Sequence, residues 1–231
     1  MKSSLAQRCV AEGLGTAFLL AGVVGSGIMA AKLAGGSAAL ALLCNTLPTG
    51  AILTVLILTF GPVSGAHFNP AVSIAFALRG ELSPKTAATY AAVQVIGAVI
   101  GVWTAHLMFE LPLWQISGTA RTGSGQWLAE AVATFGLLLT ILGCGARTPS
   151  AVPYAVGLYI TSAYWFTAST SFANPAVTIA RALSNTYAGI DPSGVLAFIL
   201  AQIFGALLAL ALASWLWPVN SISVASAFRH T

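Results

Sequence analysis

Two copies of one tripeptide are the strongest candidates for a functional site in this chain. An asparagine side chain caps the first turn of a helix, and proline fits the first helical position because no amide donor is needed there. Each copy opens an apolar run of about ten residues, which as a helix would cross only half of a bilayer. Two such helices meeting at mid-membrane would aim their positive dipole ends and two side-chain amides at one centre, which repels cations and offers donors to a neutral oxygen. The two copies are Asn69-Pro70-Ala71 and Asn174-Pro175-Ala176.

Two acidic residues, Glu12 and Glu130, fall inside long apolar segments. An acid within a membrane is by default a candidate for function, which here would be ion or proton transport. The alternative is structural, because loop backbone at membrane depth needs hydrogen-bond partners that lipid does not supply. The two acids recur in matching contexts in the two halves of the chain, which favours the structural interpretation.

The histidines and cysteines indicate no metal, redox or catalytic centre. His67 has no second ligand at metal-binding spacing, and the cysteines form no Cys-Xaa-Xaa-Cys pair. Since there is also no Ser/His/Asp, Cys/His or His-rich cluster, the sequence predicts neither a cofactor nor an enzyme. The remaining members of these types are His106, His230, Cys9, Cys44 and Cys144.

The composition of the chain indicates that these residues lie in membrane-spanning helices or in the short segments between them. Of 231 residues, 58% are hydrophobic and only 6% are charged, whereas a soluble domain carries about 25% charge. This excludes a soluble enzyme, a nucleic-acid-binding protein and a disordered chain. Six segments approach the roughly 20 apolar residues that a spanning helix needs, and two shorter segments are candidates for re-entrant half-helices. The spans are 10–31, 38–60, 86–109, 127–145, 151–168 and 194–217, and the short segments are 69–78 and 174–183.

Basic residues predict the orientation, because they concentrate on the cytoplasmic side of membrane proteins. With the N-terminus inside, six of them lie inside and three outside, so we expect both termini on the cytoplasmic side of a plasma (inner) membrane. The inside set is Lys2, Arg8, Arg79, Lys85, Arg147 and Arg229, and the outside set is Lys32, Arg121 and Arg181.

The chain contains an internal repeat. Three stretches recur, shifted by 118, 105 and 108 residues, and each half holds three full spans and one short segment. Because three is odd, the second half must insert upside down, as in inverted-repeat transporters and channels. We therefore expect one channel domain over 1–231, with repeats at about 8–109 and 126–218. Each repeat carries small residues four apart for close helix crossing, namely Gly97 with Gly101 and Gly205 with Ala209.

These features resemble the aquaporin (major intrinsic protein) superfamily. Residues 64–73 are similar to its first signature and 173–176 to its second, and the likeness covers about residues 8–218. It implies an all-α membrane protein with six transmembrane helices, two re-entrant half-helices and an inverted 3+3 repeat, called the hourglass fold. It also implies a homotetramer in the lipid bilayer with one pore per subunit for small neutral solutes and water, and no role for nucleic acid. Backbone carbonyls would line that pore at Gly65, Ala66, His67, Thr170 and Phe172.

The chain departs from the superfamily at the expected selectivity filter. The residue after the second tripeptide is usually arginine but here is Val177, and family spacing assigns the other three positions to Thr49, Ser162 and Ser171. Because all four side chains are small and uncharged, we expect a wide filter without arginine. Such a filter would pass glycerol, urea, arsenous acid and antimonous acid. It resembles that of arsenic-associated bacterial channels of aquaglyceroporin type, which implies passage of methylated arsenicals as well.

Arg181 lies four residues beyond Val177, on the same helix face. It would either place a positive charge in the outer vestibule of the pore or complement the negative end of its short helix. Three other functions stay open. An anion or non-selective ion channel is conceivable without the filter arginine, a coupled transporter would need to use the two glutamates, and a membrane enzyme lacks a catalytic cluster.

Overall fold

A computed structural model describes residues 3–217 of the protein, and in that range all regular structure is helical. Lys2, Arg229 and His230 lie outside the described residues. The helices are α1 Leu5–Leu33, α2 Ala38–Ser64, α3 Pro70–Leu78, α4 Pro84–Met108, α5 Ser124–Arg147, α6 Val152–Phe166, α7 Pro175–Arg181 and α8 Pro192–Leu216.

Within the described part of the chain, five helices are long and apolar enough to cross a membrane, namely α1, α2, α4, α5 and α8. The remaining predicted span, 151–168, is shorter, because α6 has 15 residues and follows a single 3₁₀ turn at Pro149–Ala151. Turn and helix together extend about 28 Å, which still matches a hydrocarbon core of about 30 Å. Large apolar side chains such as Leu33, Leu158 and Trp215 are exposed on the outside of the bundle, where they suit contact with lipid. Residues 3–217 thus hold six helical segments of membrane-crossing length, counting the 3₁₀ turn with α6, and two short helices, and the protein is a multi-pass membrane protein.

The two short helices begin where the tripeptides predict. Both α3 and α7 start at their proline, each with the preceding asparagine as N-cap in extended conformation. With 9 and 7 residues, they extend about 13 and 10 Å, so neither crosses the membrane. α7 ends at Arg181, two residues before the predicted end of its apolar run.

Glycines bring the long helices close together. A Cβ atom placed on Gly97 in α4 would lie 2.2 Å from the carbonyl oxygen of Gly13 in α1. In the other half of the bundle, a Cβ on Gly205 in α8 would lie 2.2 Å from the carbonyl oxygen of Ala131 in α5. Neither crossing can tolerate a side chain at the glycine, so the backbones themselves form the contact.

A candidate pore

Each asparagine of the tripeptides caps its own helix. Asn69 Oδ1 accepts a hydrogen bond from Ala71 N at 2.9 Å. Asn174 Oδ1 accepts from Ala176 N at 3.0 Å and from Val177 N at 3.3 Å. The side-chain oxygens are therefore used within the helices, and the amide nitrogens face elsewhere.

The same asparagines tie the two short helices together. Asn69 Nδ2 donates to the carbonyl oxygen of Ala173, and Asn174 Nδ2 donates to that of Phe68, both at 2.7 Å. Each asparagine thus bonds to the residue that precedes its counterpart. An amide carries two N–H groups, so each has a second donor beyond this cross-link.

The loops that lead into α3 and α7 have matching backbone conformations. Gly65, Ala66 and Phe68 have positive φ angles of 96°, 50° and 48°. Three residues at a constant offset of 105 repeat them, with φ of 59°, 51° and 48°. For a residue other than glycine, this conformation costs about 1–2 kcal/mol, so neighbouring contacts must hold it in place. The repeated set is Thr170, Ser171 and Ala173.

Glu12 supplies those contacts in the first loop. Its carboxylate accepts hydrogen bonds from His67 N at 2.9 Å and Phe68 N at 2.7 Å. It also accepts from Ser64 Oγ at 2.6 Å and from Gln94 Nε2 at 2.8 Å. The side chain is fully buried, and four donors surround its charge.

Glu130 has the corresponding position in the second loop. It accepts from Phe172 N and Ala173 N, both at 2.8 Å, and from Gln202 Nε2 at 2.6 Å. Among the described residues neither glutamate lines the cavity between the loops. Their geometry is that of loop braces, as the structural alternative requires.

A cavity runs past both asparagines. Its walls are mostly apolar side chains of α1, α2, α5 and α6, interrupted by the polar edges of the two loops. Along the first loop it contacts 65–69, and along the second it contacts 171–174. The predicted filter residues Thr49, Ser171 and Val177 line it, as do Tyr164 and Arg181.

The assignment of Ser162 to the filter is wrong. Its side chain is exposed on the outer face of α6, beside Leu158 and Trp165, and its hydroxyl donates to the carbonyl of Tyr159 at 2.8 Å. Tyr164 faces the cavity instead, with its hydroxyl 3.4 Å from Thr49 Oγ1. Two residues along a helix correspond to a rotation of about 200°. An error of two residues in a count from the tripeptide therefore moves the assigned side chain to the opposite face of α6. An aromatic ring therefore stands where a small side chain was expected.

Thr170 also differs from its predicted position. It is not among the described residues that line the cavity, and the second-loop lining begins at Ser171. Its hydroxyl oxygen lies 3.4 Å from Nη1 of Arg121. Arg121 also donates to the carbonyls of Gly189 at 2.9 Å and Ser169 at 3.1 Å, so it fixes the back of the second loop. The sequence identifies Arg121 only as a basic residue between two spans, which predicts the orientation in the membrane but not these contacts.

Arg181 is not in an open vestibule. It is 1% exposed, lines the cavity, and places its guanidinium carbon 3.4 Å from the ring centroid of Phe172. Its Nε donates to the carbonyl oxygen of Ala188. Arg181 thus lines the cavity in enclosed surroundings, which differ from the open outer vestibule that the sequence predicts as one alternative.

Comparison with known proteins gives the family. The model of the family described as major intrinsic protein matches residues 1–149. The chain is 57% identical over 212 residues to aquaglyceroporin AqpS of Rhizobium meliloti (strain 1021), which covers 92% of this chain and 91% of that protein. It is 37% identical over 117 residues to the glycerol uptake facilitator protein of Bacillus subtilis (strain 168), covering 44% and 42% of the two chains.

A solved structure has the same fold. The X-ray structure of the aquaglyceroporin from Plasmodium falciparum superposes with a TM-score of 0.67 at 21% identity, covering 96% of this chain and 99% of that one. The half-helix pair and the AqpS likeness agree with the resemblance inferred from the two tripeptides. The chain belongs to the major intrinsic protein family, whose members are passive channels rather than enzymes, and it is a membrane channel for small solutes.

Proposed function

We propose that this channel conducts glycerol, urea and metalloid hydroxides such as arsenous and antimonous acid, together with methylated arsenicals and water. The observation that carries the proposal is Val177, an aliphatic residue in the cavity directly after the second tripeptide. A valine leaves more cross-section than an arginine and offers an apolar surface to the carbon skeleton of a solute.

The polar groups of the cavity suit a neutral hydroxide. Such a solute sheds its water at the narrowest point and needs donors and acceptors that replace it. The spare amide hydrogens of Asn69 and Asn174 supply donors, and the loop carbonyls supply acceptors. The Ser171 hydroxyl can act as either, whereas the hydroxyls of Thr49 and Tyr164 can accept, because Thr49 donates to the Asn45 carbonyl and Tyr164 donates to Thr49. Apolar side chains form most of the remaining cavity lining, which suits the carbon skeleton of a polyol.

Tyr164 limits the width that the other three filter residues would allow. Its ring lines the cavity, and its hydroxyl lies 3.4 Å from that of Thr49, which lines the cavity too. We therefore infer a filter that is wider than one closed by arginine at position 177, yet bounded by one aromatic ring.

We further propose that the protein is a homotetramer in a bacterial inner membrane, with one pore per subunit and both termini in the cytoplasm. The relative AqpS is bacterial, and the basic residues of the α3–α4 connection favour that side as cytoplasmic. Exposed apolar faces on the outer helices are compatible with both lipid and neighbouring subunits.

Stopped-flow measurements on proteoliposomes test the substrate proposal. Purified protein is reconstituted, and swelling is followed under gradients of water, glycerol, urea and arsenous acid. We expect glycerol and arsenous acid to equilibrate at least about tenfold faster than in protein-free vesicles, which is a barrier lower by about 1.4 kcal/mol. Rapid water flow without either solute would contradict the proposal.

An anion channel of the same fold is the second candidate, because a buried cation lines the cavity at Arg181. Planar bilayers distinguish the two. A neutral-solute pore is electrically silent, whereas discrete current steps carried by chloride would favour the second candidate.

A further inference from the structure

We propose that Arg181 is the charge-selecting residue of this pore, and that size and charge selection are divided between two successive turns of α7. The inference deepens the proposed function and rests on it. Val177 sets the space available to a solute, and Arg181 excludes cations and donates hydrogen bonds to solute oxygens.

The geometry follows from the helix. Residues four apart share a face, and side chains lean toward the helix N-terminus. The Arg181 side chain therefore extends back along α7 toward the turn that carries Val177. Both residues line the same cavity, together with Ser171. The positive charge that position 177 lacks is thus present in the cavity, displaced by one turn.

Contacts on two sides hold the guanidinium in place. The ring of Phe172 lies 3.4 Å from the guanidinium carbon, a cation–π distance, and the carbonyl of Ala188 accepts from Nε. Because Phe172 N is itself bonded to Glu130, the ring belongs to the braced loop. The cation is therefore fixed relative to the pore wall.

Two buried polar atoms in residues that line the cavity have no hydrogen-bond partner among the described residues. They are Nη1 of Arg181 and Oγ of Ser171. Buried donors and acceptors are almost always paired, so unpaired atoms on two residues that line one cavity indicate where a solute can bond. A solute hydroxyl can accept from an arginine N–H and can donate to a serine hydroxyl. The solute class that fits is a neutral hydroxide or amide oxygen.

Of the three charged side chains around this site, Arg181, Arg121 and Glu130, Arg181 is the one among the described residues that line the cavity. Arg121 contacts the same ring of Phe172, 5.1 Å from its centroid, but it bonds to loop carbonyls and is not among the described residues lining the cavity. The Glu130 carboxylate is occupied by loop amides. Arginine stays protonated in proteins, so its field acts on a permeating cation at every physiological pH.

Urea and guanidinium provide the test, since they have nearly the same planar shape and differ in charge. Fluxes of both are measured in proteoliposomes containing wild type, Arg181→Met, Arg181→Lys and Lys32→Met. We expect wild type to pass urea and exclude guanidinium, and Arg181→Met to lower the urea-to-guanidinium ratio at least about tenfold. Arg181→Lys keeps the charge and should keep the ratio. Lys32→Met should keep it too, because Lys32 is an exposed cation that is not among the described residues lining the cavity.

A double variant guards against a folding defect. Adding Val177→Arg to Arg181→Met returns a cation one turn inward and should restore exclusion of guanidinium even if total flux falls. The proposal is wrong if wild type passes guanidinium as fast as urea, if Lys32→Met changes the ratio as much as Arg181→Met, or if the ratio is the same with and without the charge at 181. If wild type passes neither glycerol nor urea, the proposed function fails, and proton leak across the same variants still tests the charge-selecting role.

Discussion

At the scale of single residues, the charged side chains inside the membrane have separate tasks. Glu12 and Glu130 are fully buried, and their oxygens are bonded to amides of the two re-entrant loops. Those amides could not find partners in lipid, so the acids stabilise a backbone that the bilayer would otherwise exclude. Arg181 differs from them because it lines the cavity and its Nη1 has no hydrogen-bond partner among the described residues.

Replacing Glu130 by glutamine tests the bracing role. Glutamine keeps the shape, but one of its two polar atoms becomes a donor, so one of the amides of Phe172 and Ala173 loses its acceptor. An unsatisfied buried group costs about 1–3 kcal/mol, so we expect a lower unfolding temperature in detergent and slower glycerol flux. Glu81→Gln is the matched control, because Glu81 forms a surface ion pair with Arg79 that contributes little. Equal thermal stability of both variants would show that Glu130 does not brace the loop.

Variants at Tyr164 and Ser162 test which of the two side chains lines the filter. Tyr164→Ala removes a ring from the cavity, so we expect methylated arsenicals to gain flux relative to glycerol. Ser162→Trp adds a large ring on the outer face, where it should leave all fluxes unchanged. Vesicle uptake of the two solutes checks both variants. A block by Ser162→Trp would return Ser162 to the pore and contradict its exposed position.

Val177 determines the cross-section in our account. Val177→Arg adds bulk and a second cation one turn from Arg181, so we expect glycerol and arsenous acid flux to fall at least about tenfold and water flux to fall less. Val177→Leu adds some bulk without charge and should reduce the two fluxes only modestly. Unchanged arsenite uptake by a well-expressed Val177→Arg variant would rule out Val177 as a filter residue.

At the scale of elements, the sequence predicts those features that depend on residues close together in the chain. The starts of α3 and α7 follow from capping chemistry at Asn69 and Asn174, and spans follow from apolar length. The phase of α6 could not be inferred, because Ser162 and Tyr164 lie in a segment without a polar stripe that would orient it. The position of the Arg181 guanidinium depends on a ring and a carbonyl from distant segments, so a helix-face argument finds the residue but not its burial.

The crossing of α1 and α4 gives a prediction at this scale. A methyl group at Gly97 would lie 2.2 Å from the Gly13 carbonyl oxygen, so Gly97→Ala must push the helices apart. The shift would also move Gln94, which bonds to Glu12. We expect a clear loss of thermal stability, whereas Gly61→Ala in α2 meets nothing within 4 Å and should be neutral or slightly stabilising. Similar melting temperatures for both variants would show that the crossing is not close-packed.

At the scale of the whole molecule, the burial of Arg181 sharpens the orientation argument. A residue enclosed in the cavity is no topological marker, so the described outside set reduces to Lys32 and Arg121. Arg121 is itself bonded to loop carbonyls. The opposite end has four described basic residues, and the hydrogen bond of 2.7 Å from Arg8 Nε to Tyr90 Oη ties the start of α1 to α4. Without Arg181, the basic residues of the sequence divide six to two instead of six to three, which increases the bias toward cytoplasmic termini. The four are Arg8, Arg79, Lys85 and Arg147.

Cysteine labelling checks this orientation in intact cells. In a background where the native cysteines are replaced by alanine, Glu81→Cys marks the α3–α4 connection and Trp114→Cys marks the α4–α5 connection. Both positions are exposed, and α4 separates them by a full membrane crossing. We expect a membrane-impermeant maleimide to label Trp114→Cys in intact cells and Glu81→Cys only after permeabilisation, because the basic end should face the cytoplasm. The reverse pattern would invert the topology and place the Arg181 end of the pore, and with it charge selection, on the cytoplasmic side.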